Sequence, residues 1–239
     1  MGRYSVHLSP QLADLAAIAA GQRVLDVGCG PGALTAELVR RVGTAGVAAV
    51  DPSEPFVAAA AERNPGVDVR RASAEDLPFP DDAFDAALAQ LVVHFMRDAV
   101  AGLAEMRRVT RPDGVVAACV WDHAGGSGPL SAFWDAAHER DPDVRDESSL
   151  AGARAGHLAE LFEAAGLHTV EETALTSRVE HATFDAWWEP FTAGVGPAGA
   201  YAAGLDPTDQ SALRERCRAR LGDGPFTVTA RAWAARGLA

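Results

Sequence analysis

Lysine is missing from this chain altogether: all 21 of its basic residues are arginines. That absence excludes imine chemistry on a lysine amine, pyridoxal phosphate anchored through lysine, and a lysine-bearing phosphate loop. Arginine in place of lysine throughout also fits the codon usage of a GC-rich bacterial genome. Cysteine is scarce, and Cys29, Cys119 and Cys217 are scattered without zinc or iron–sulfur spacing. Cys29 and Cys119 lie in apolar strand contexts and read as small core residues of a cytoplasmic protein. No apolar run is long and charge-free enough to span a bilayer, and no basic segment followed by an apolar core occurs near the N-terminus. Positive charge is short overall, with a formal net charge of −12. Such a chain offers no basic face to a nucleic acid. The pairs Arg40-Arg41, Arg70-Arg71 and Arg107-Arg108 read as solvated ends of helices or strands. Asp141-Pro142-Asp143 reads as a solvated turn, and no metal is implied.

What is present is concentrated in Val24-Leu25-Asp26-Val27-Gly28-Cys29-Gly30-Pro31-Gly32. A β-branched apolar run enters a carboxylate, then three glycines on alternate positions, then a helical pattern from about Ala33. A strand ending in such a turn leaves its backbone bare, and the next helix offers its N-terminus to a ligand. By spacing alone, Gly28, Gly30 and Ala33 also satisfy the dinucleotide fingerprint. Asp26 and Pro31 weigh against it. A carboxylate two positions before the first glycine repels a pyrophosphate but holds an amino or sulfonium group. Pro31 removes an N–H that a phosphate would use. A cationic nucleoside without phosphate is favoured over NAD or FAD, and S-adenosylmethionine fits.

Length and a 48% hydrophobic content allow one full core with a small accessory region. The pattern predicts a helix over Leu12–Ala20, strands over Arg23–Val27, Val47–Val50, Val67–Arg71, Phe84–Ala89 and Gly114–Val120, and a helix over Leu34–Val42. An alanine-rich helix follows Ser53, and another helix runs to about Arg108. Alternating strands and helices mean right-handed βαβ units and a parallel sheet. Further on, Leu158–Ala165 reads as a helix stopped by Gly166, and Thr169–Thr176 as a strand. Phe184–Phe191 and Leu213–Leu221 read as helical, and Phe226–Trp233 as a last strand.

Asp51 closes the second strand about twenty residues beyond the glycines, where a carboxylate can accept both hydrogen bonds of a ribose diol. The glycine turn, Asp51-Pro52, the segment Ala72-Ser73-Ala74-Glu75-Asp76-Leu77-Pro78-Phe79 and Pro80-Asp81-Asp82-Ala83-Phe84-Asp85 occur in order. Across Gly21 to Val120 the chain resembles class I S-adenosylmethionine-dependent methyltransferases, most nearly the small-molecule branch that includes quinone-biosynthesis enzymes. The resemblance implies a Rossmann-like α/β fold of seven strands, order 3-2-1-4-5-7-6, mostly parallel with an antiparallel last strand. It implies one methyltransferase domain over 1–239, with a cofactor-binding core at 1–120 and a substrate side at 121–239. That side would hold a helical cap at about 184–220 and the last strand at about 226–233. The resemblance places Asp26, Gly28, Gly30, Asp51 and Pro52 on S-adenosylmethionine, and Ser73, Ala74 or Glu75 at adenine. The commoner family residue at Ser73 is Asp. Gln90 falls where the family approaches the methionine end, and Tyr4-Ser5 resembles a lead-in that folds over the cofactor's carboxylate.

Methyl transfer is an in-line displacement in which positioning supplies much of the rate, so no catalytic triad is required. His94 and His123, near the ends of strands four and five, are the candidate bases, with Asp122 placed to orient His123. Phe133-Trp134, Trp187-Trp188, Phe191 and Tyr201 follow strand five and suggest a flat or apolar small-molecule acceptor. The expected activity is methyl transfer to oxygen, carbon or nitrogen of such an acceptor, producing S-adenosylhomocysteine. The alternative is an S-adenosylmethionine-binding protein with a regulatory or non-methyl-transfer role.

Overall fold

Strands and helices alternate along the chain in a computed structural model that describes residues 2–194 and 196–239. Strands β1 (Val24–Val27), β2 (Val47–Asp51), β3 (Asp68–Arg71), β4 (Phe84–Gln90) and β5 (Thr110–Trp121) run parallel. Strands β6 (His168–His181) and β7 (Phe226–Leu238) form a long antiparallel hairpin, and β7 pairs with β5. The sheet order is β3-β2-β1-β4-β5-β7-β6, the arrangement expected from the resemblance. Central β1 is covered on both faces, and all four of its residues are buried. Such strands read as continuous apolar runs. Asp26 is the one exception.

Two short helices, α1 (Gly2–Ser5) and α2 (Ser9–Leu15), precede the sheet. Helices α3 (Ala33–Val42), α4 (Glu54–Arg63) and α5 (Ala99–Val109) connect the parallel strands, and α6 (Ser131–Arg140) and α7 (His157–Ala164) follow β5. Helices α8 (Phe184–Thr192), α9 (Gly196–Gly204) and α10 (Pro207–Leu221) lie between β6 and β7. Side-chain oxygens of Asp98, Thr183 and Asp206 accept from the first-turn N–H groups of α5, α8 and α10, fixing where these helices begin. Each face of the sheet has its own core. Leu103, Met106 and Phe162 pack on one face, and Leu12, Leu34, Leu38 and Trp121 on the other. A third core joins α6 to α8, α9 and α10.

Several elements differ from the expected boundaries; β5 begins at Thr110, not Gly114, and α10 at Pro207, not Leu213. Helix α2 ends at Leu15, not Ala20, because Ala17 takes φ +52° and the chain turns back, with Ile18 N–H donating to the Ala13 carbonyl. The Gln22 side chain then accepts from Ala19 N–H, so the alanine run serves as a turn into β1. Strand β6 continues past Thr176 to His181, and β7 past Trp233 to Leu238. The inward positions of the β6 extension are Ser177, Val179 and His181, and two polar residues in three hide the alternation. Helix α6, which no expectation covered, begins at Ser131.

Candidate functional site

The glycine turn is stitched to the end of β2. Gly28 and Cys29 both donate to the Val50 carbonyl, at 2.8 and 2.9 Å. Gly30 N–H donates to Asp51 Oδ2 at 2.9 Å, and Ser53 N–H donates to Oδ1 at 2.8 Å. The glycines have different reasons for being glycine. A Cβ on Gly28 would lie 2.4 Å from Val92 Cγ2, and one on Gly32 would lie 2.4 Å from Asn64 Nδ2. Both are closed by protein. Gly30, at φ +51°, would have nothing within 4 Å of a Cβ. Bare backbone thus faces open space at one point of the turn, beside Asp51 and just before α3.

Asp26 is 1% exposed, yet only one of its oxygens is used: Oδ2 accepts from Thr35 Oγ1 at 2.6 Å, and Oδ1 has no partner. Burial pushes this carboxyl up to about 7, against the Thr35 hydrogen bond and with the charge of Asp51 adding to the rise. A buried oxygen without a donor calls for an explanation, and a cationic ligand group nearby supplies one. The donor set therefore fits S-adenosylmethionine: an open glycine backbone, an orphaned carboxylate oxygen and a second carboxylate at the end of β2.

The other residues expected at the cofactor are distributed more widely. Pro52 is exposed, and its carbonyl accepts from Arg71 Nε. Ser73 is half-buried beyond β3, and Ala74 is buried beneath α5. Glu75 Oε1 accepts from the N–H groups of Arg97 and Asp98, tying the loop after β3 to the approach to α5. Burial alone would raise the Glu75 carboxyl, but these N–H groups, its own and the Ser73 hydroxyl hold it below the usual range. Gln90, the last residue of β4, donates from Nε2 to the Ser5 carbonyl at 3.2 Å, while its Oε1 is buried without a partner. Tyr4 is buried at 5% exposure, and its hydroxyl lies 2.7 Å from His181 Nε2. Its carbonyl accepts from Ser177 Oγ. The lead-in thus crosses the carboxyl ends of β4 and β6. Ser5 reaches Gln90, and the Tyr4 phenol, raised to about 12 by burial, is engaged with His181.

His94 and His123 come together across β4 and β5, with ring centroids 6.1 Å apart. His94 sits in a single 3-10 turn, Val93–Phe95, at 8% exposure, and its Nδ1 has no partner. Burial, reinforced by His123, drives it down to about 3, so it is neutral near pH 7. His123 Nε2 is likewise buried without a partner, and burial lowers its pKa against the pull of Glu147, Asp146 and Asp122. Asp122 does not orient this imidazole. Its Oδ1 accepts from Gly125 N–H, and its Oδ2 lies 3.6 Å from Arg231 Nη1. Beside His123 opens a cavity of about 240 Å³ walled by Trp134, Asp146 and Glu147 among others. The sequence pattern gave no sign of Asp146 or Glu147, which lie in a loop without periodicity.

The aromatic residues expected at an acceptor pocket face one another instead. Phe133 and Phe191 stack at 4.7 Å, Phe184 and Trp188 stack at 6.2 Å, and Trp187 meets Phe191 at 4.9 Å. With Leu213 and Cys217 they form the third core, and Trp188 is 6% exposed. Of this set only Trp134 reaches the cavity, where its Nε1 donates to Glu147 Oε2 at 3.0 Å.

A methyltransferase-domain family model matches residues 25–118, the glycine turn through β5. A probable S-adenosylmethionine-dependent methyltransferase of Mycolicibacterium smegmatis is 30% identical over 184 residues, covering 71% of this chain and 68% of that one. Nocamycin O-methyltransferase of Saccharothrix syringae is 40% identical over 44% of this chain and 39% of its own length. With several curated relatives the match spans only about two-fifths of their length. The crystal structure of the YcgJ protein of Bacillus subtilis superposes with a TM-score of 0.62 at 20% identity, covering 97% of each chain, which establishes the shared fold. The glycine turn and β1 to β5 match that family's domain, and the likeness runs on into the second half of the chain: it belongs to the S-adenosylmethionine-dependent methyltransferases.

Proposed function

We propose that this enzyme methylates a small organic acceptor bound beside His123, with S-adenosylhomocysteine as the other product. The open backbone at Gly30, flanked by Asp51 and the orphaned Oδ1 of Asp26, is the observation that carries the reading. Asp26, Gly28, Gly30 and Gln90 would hold the amino-acid end of the cofactor, and Asp51 with Pro52 its ribose. Ser73 and Ala74 would meet adenine, with Glu75 fixing their loop. S-adenosylmethionine, when bound, supplies an electrophilic methyl group on a sulfonium. The protein's part is to place the acceptor in line, exclude water and accept a proton. His123, neutral and with a free buried Nε2, is suited to the last of these, with His94 packed behind it. Residues 1–120 would serve the cofactor and 121–239 the acceptor, as parts of one domain. The named O-methyltransferase relative supports a small-molecule acceptor.

No described helix is long and apolar enough to cross a membrane, and the three cysteines are free thiols, in keeping with a cytoplasmic enzyme. Calorimetry tests the cofactor assignment. S-adenosylmethionine and S-adenosylhomocysteine should bind in the micromolar range, about −8 kcal/mol, and tighter than NAD. Preference for NAD would sink it. An acceptor screen scored by product mass and by S-adenosylhomocysteine formed in equal amount then identifies the methylated atom.

A further inference from the structure

The cavity against His123 carries a charge that the protein leaves unneutralised. Of its carboxylates, Asp135 lies 3.6 Å from Arg220 and Asp146 lies 3.7 Å from His138. Glu147 has no such neighbour among the described residues, although it is 95% buried, at 5% exposure. Its Oε2 takes the Trp134 indole N–H, which leaves Oε1 to the cavity. The His123 ring also lines this space, although its Nε2 is sealed and without a partner. No described residue donates to Glu147 Oε1. A carboxylate withdrawn from water in this way is costly unless a cation or strong donors meet it.

We propose that this cavity receives a small acceptor bearing a basic nitrogen, with an N–H directed at Glu147 Oε1. The inference rests on the methyl-transfer reading only in calling the ligand an acceptor. An alcohol of the same shape could donate one hydrogen bond but would leave Glu147 uncompensated. A carboxylic acid would add a second negative charge to the wall. The expected order of binding is amine, then alcohol, then acid. The volume, about 240 Å³, lies below the range of drug-sized pockets and selects a compact ligand. The chain's net charge of −12 also favours approach of a cation.

Two matched probe sets test this: benzylamine, benzyl alcohol and benzoate, and propylamine, propanol and propionate. Each is titrated into the full chain with and without S-adenosylhomocysteine, by calorimetry and by the indole N–H resonance of Trp134. In at least one set the amine should bind about tenfold or more tightly than its alcohol and acid, and should shift the Trp134 signal. Glu147→Gln keeps an acceptor for the indole and should reduce that preference to about threefold or less, with S-adenosylhomocysteine affinity unchanged. If that variant does not fold, Glu147→Met, which removes the same charge at similar size, should also cut the preference. No amine preference in either set, or a preference intact in the folded variants, overturns the proposal. Failure of S-adenosylhomocysteine to bind the wild type would instead overturn the methyl-transfer reading, and the amine preference is scored without it.

Discussion

The proposed cofactor side and the proposed acceptor side are made differently. On the cofactor side, the groups are set by local backbone: a turn between β1 and α3, with Asp51, at the end of β2, bonded directly to Gly30. On the acceptor side, His94, His123, Trp134 and Glu147 come from four separate segments and meet only after β4 and β5 pair and α6 docks. The first arrangement is written as spacing along the chain. The second is written as packing. A change on the cofactor side should therefore register mainly in cofactor affinity, and one on the acceptor side in turnover or stability.

The sharpest test of that division is His123→Ala. If His123 takes the acceptor's proton, kcat should fall by roughly 100- to 10,000-fold. S-adenosylhomocysteine affinity should change by less than about 0.5 kcal/mol, as for sites without contact. Equal losses in both would break the division. Trp188→Ala should act on folding instead. It should cost about 3–5 kcal/mol, a fall in Tm of roughly 6–20 °C for a chain of this size. Cofactor affinity in the folded fraction should hold. A normal Tm with a raised KM would return Trp188 to the acceptor pocket.

On the cofactor side, Asp51→Ala should weaken S-adenosylhomocysteine binding by about 1.5–3 kcal/mol, the range for charge-assisted hydrogen bonds, measured by calorimetry. Asp26 gives the smallest effect on binding and the most specific one. Its carboxyl sits at about 7 without ligand, and a nearby cation favours the ionised form. Binding should then release a proton below pH 7, so affinity should rise about tenfold from pH 6 to pH 8 and level off above. Asp26→Asn should flatten that contribution to the slope. For folding, the sign is opposite. A carboxyl raised above its unfolded value contributes stability that is present at low pH and lost as pH rises through 7. Asp26→Asn should thus make the ligand-free protein more stable than wild type at pH 8, by roughly 1–4 kcal/mol, with the gap closing towards pH 4. Thermal melts at the two pH values check it.

The same contrast explains what could be read from the residues alone. The glycine turn and Asp51 follow from short-range spacing, and the alternation of strand with helix gives a parallel sheet, while the strand order comes from the family resemblance. Where the chain breaks its own pattern, reading fails. Ala16–Ala20 has helical composition but turns at Ala17 to enter β1. Ser177 and His181 occupy inward positions of β6 because Tyr4 uses both, through its carbonyl and its hydroxyl. The aromatic residues after β5 had the composition of a ligand pocket and the geometry of a core. Glu147 could not be singled out, because nothing in a short acidic loop distinguishes a solvated carboxylate from one sealed beneath an indole.

Asp51 has a further consequence. Gly30 and Ser53 hold one oxygen each, so its rotamer is chosen when the chain folds, before any ligand arrives. Each oxygen still has a lone pair free, enough for a diol. The entropy of fixing that side chain is lost during folding and not again at binding, so it does not subtract from affinity. On the proposed ribose assignment, the carboxylate is a template already cast: the diol would meet a rigid pair of acceptors, and a sugar lacking one hydroxyl would leave an oxygen that cannot swing away to find another donor.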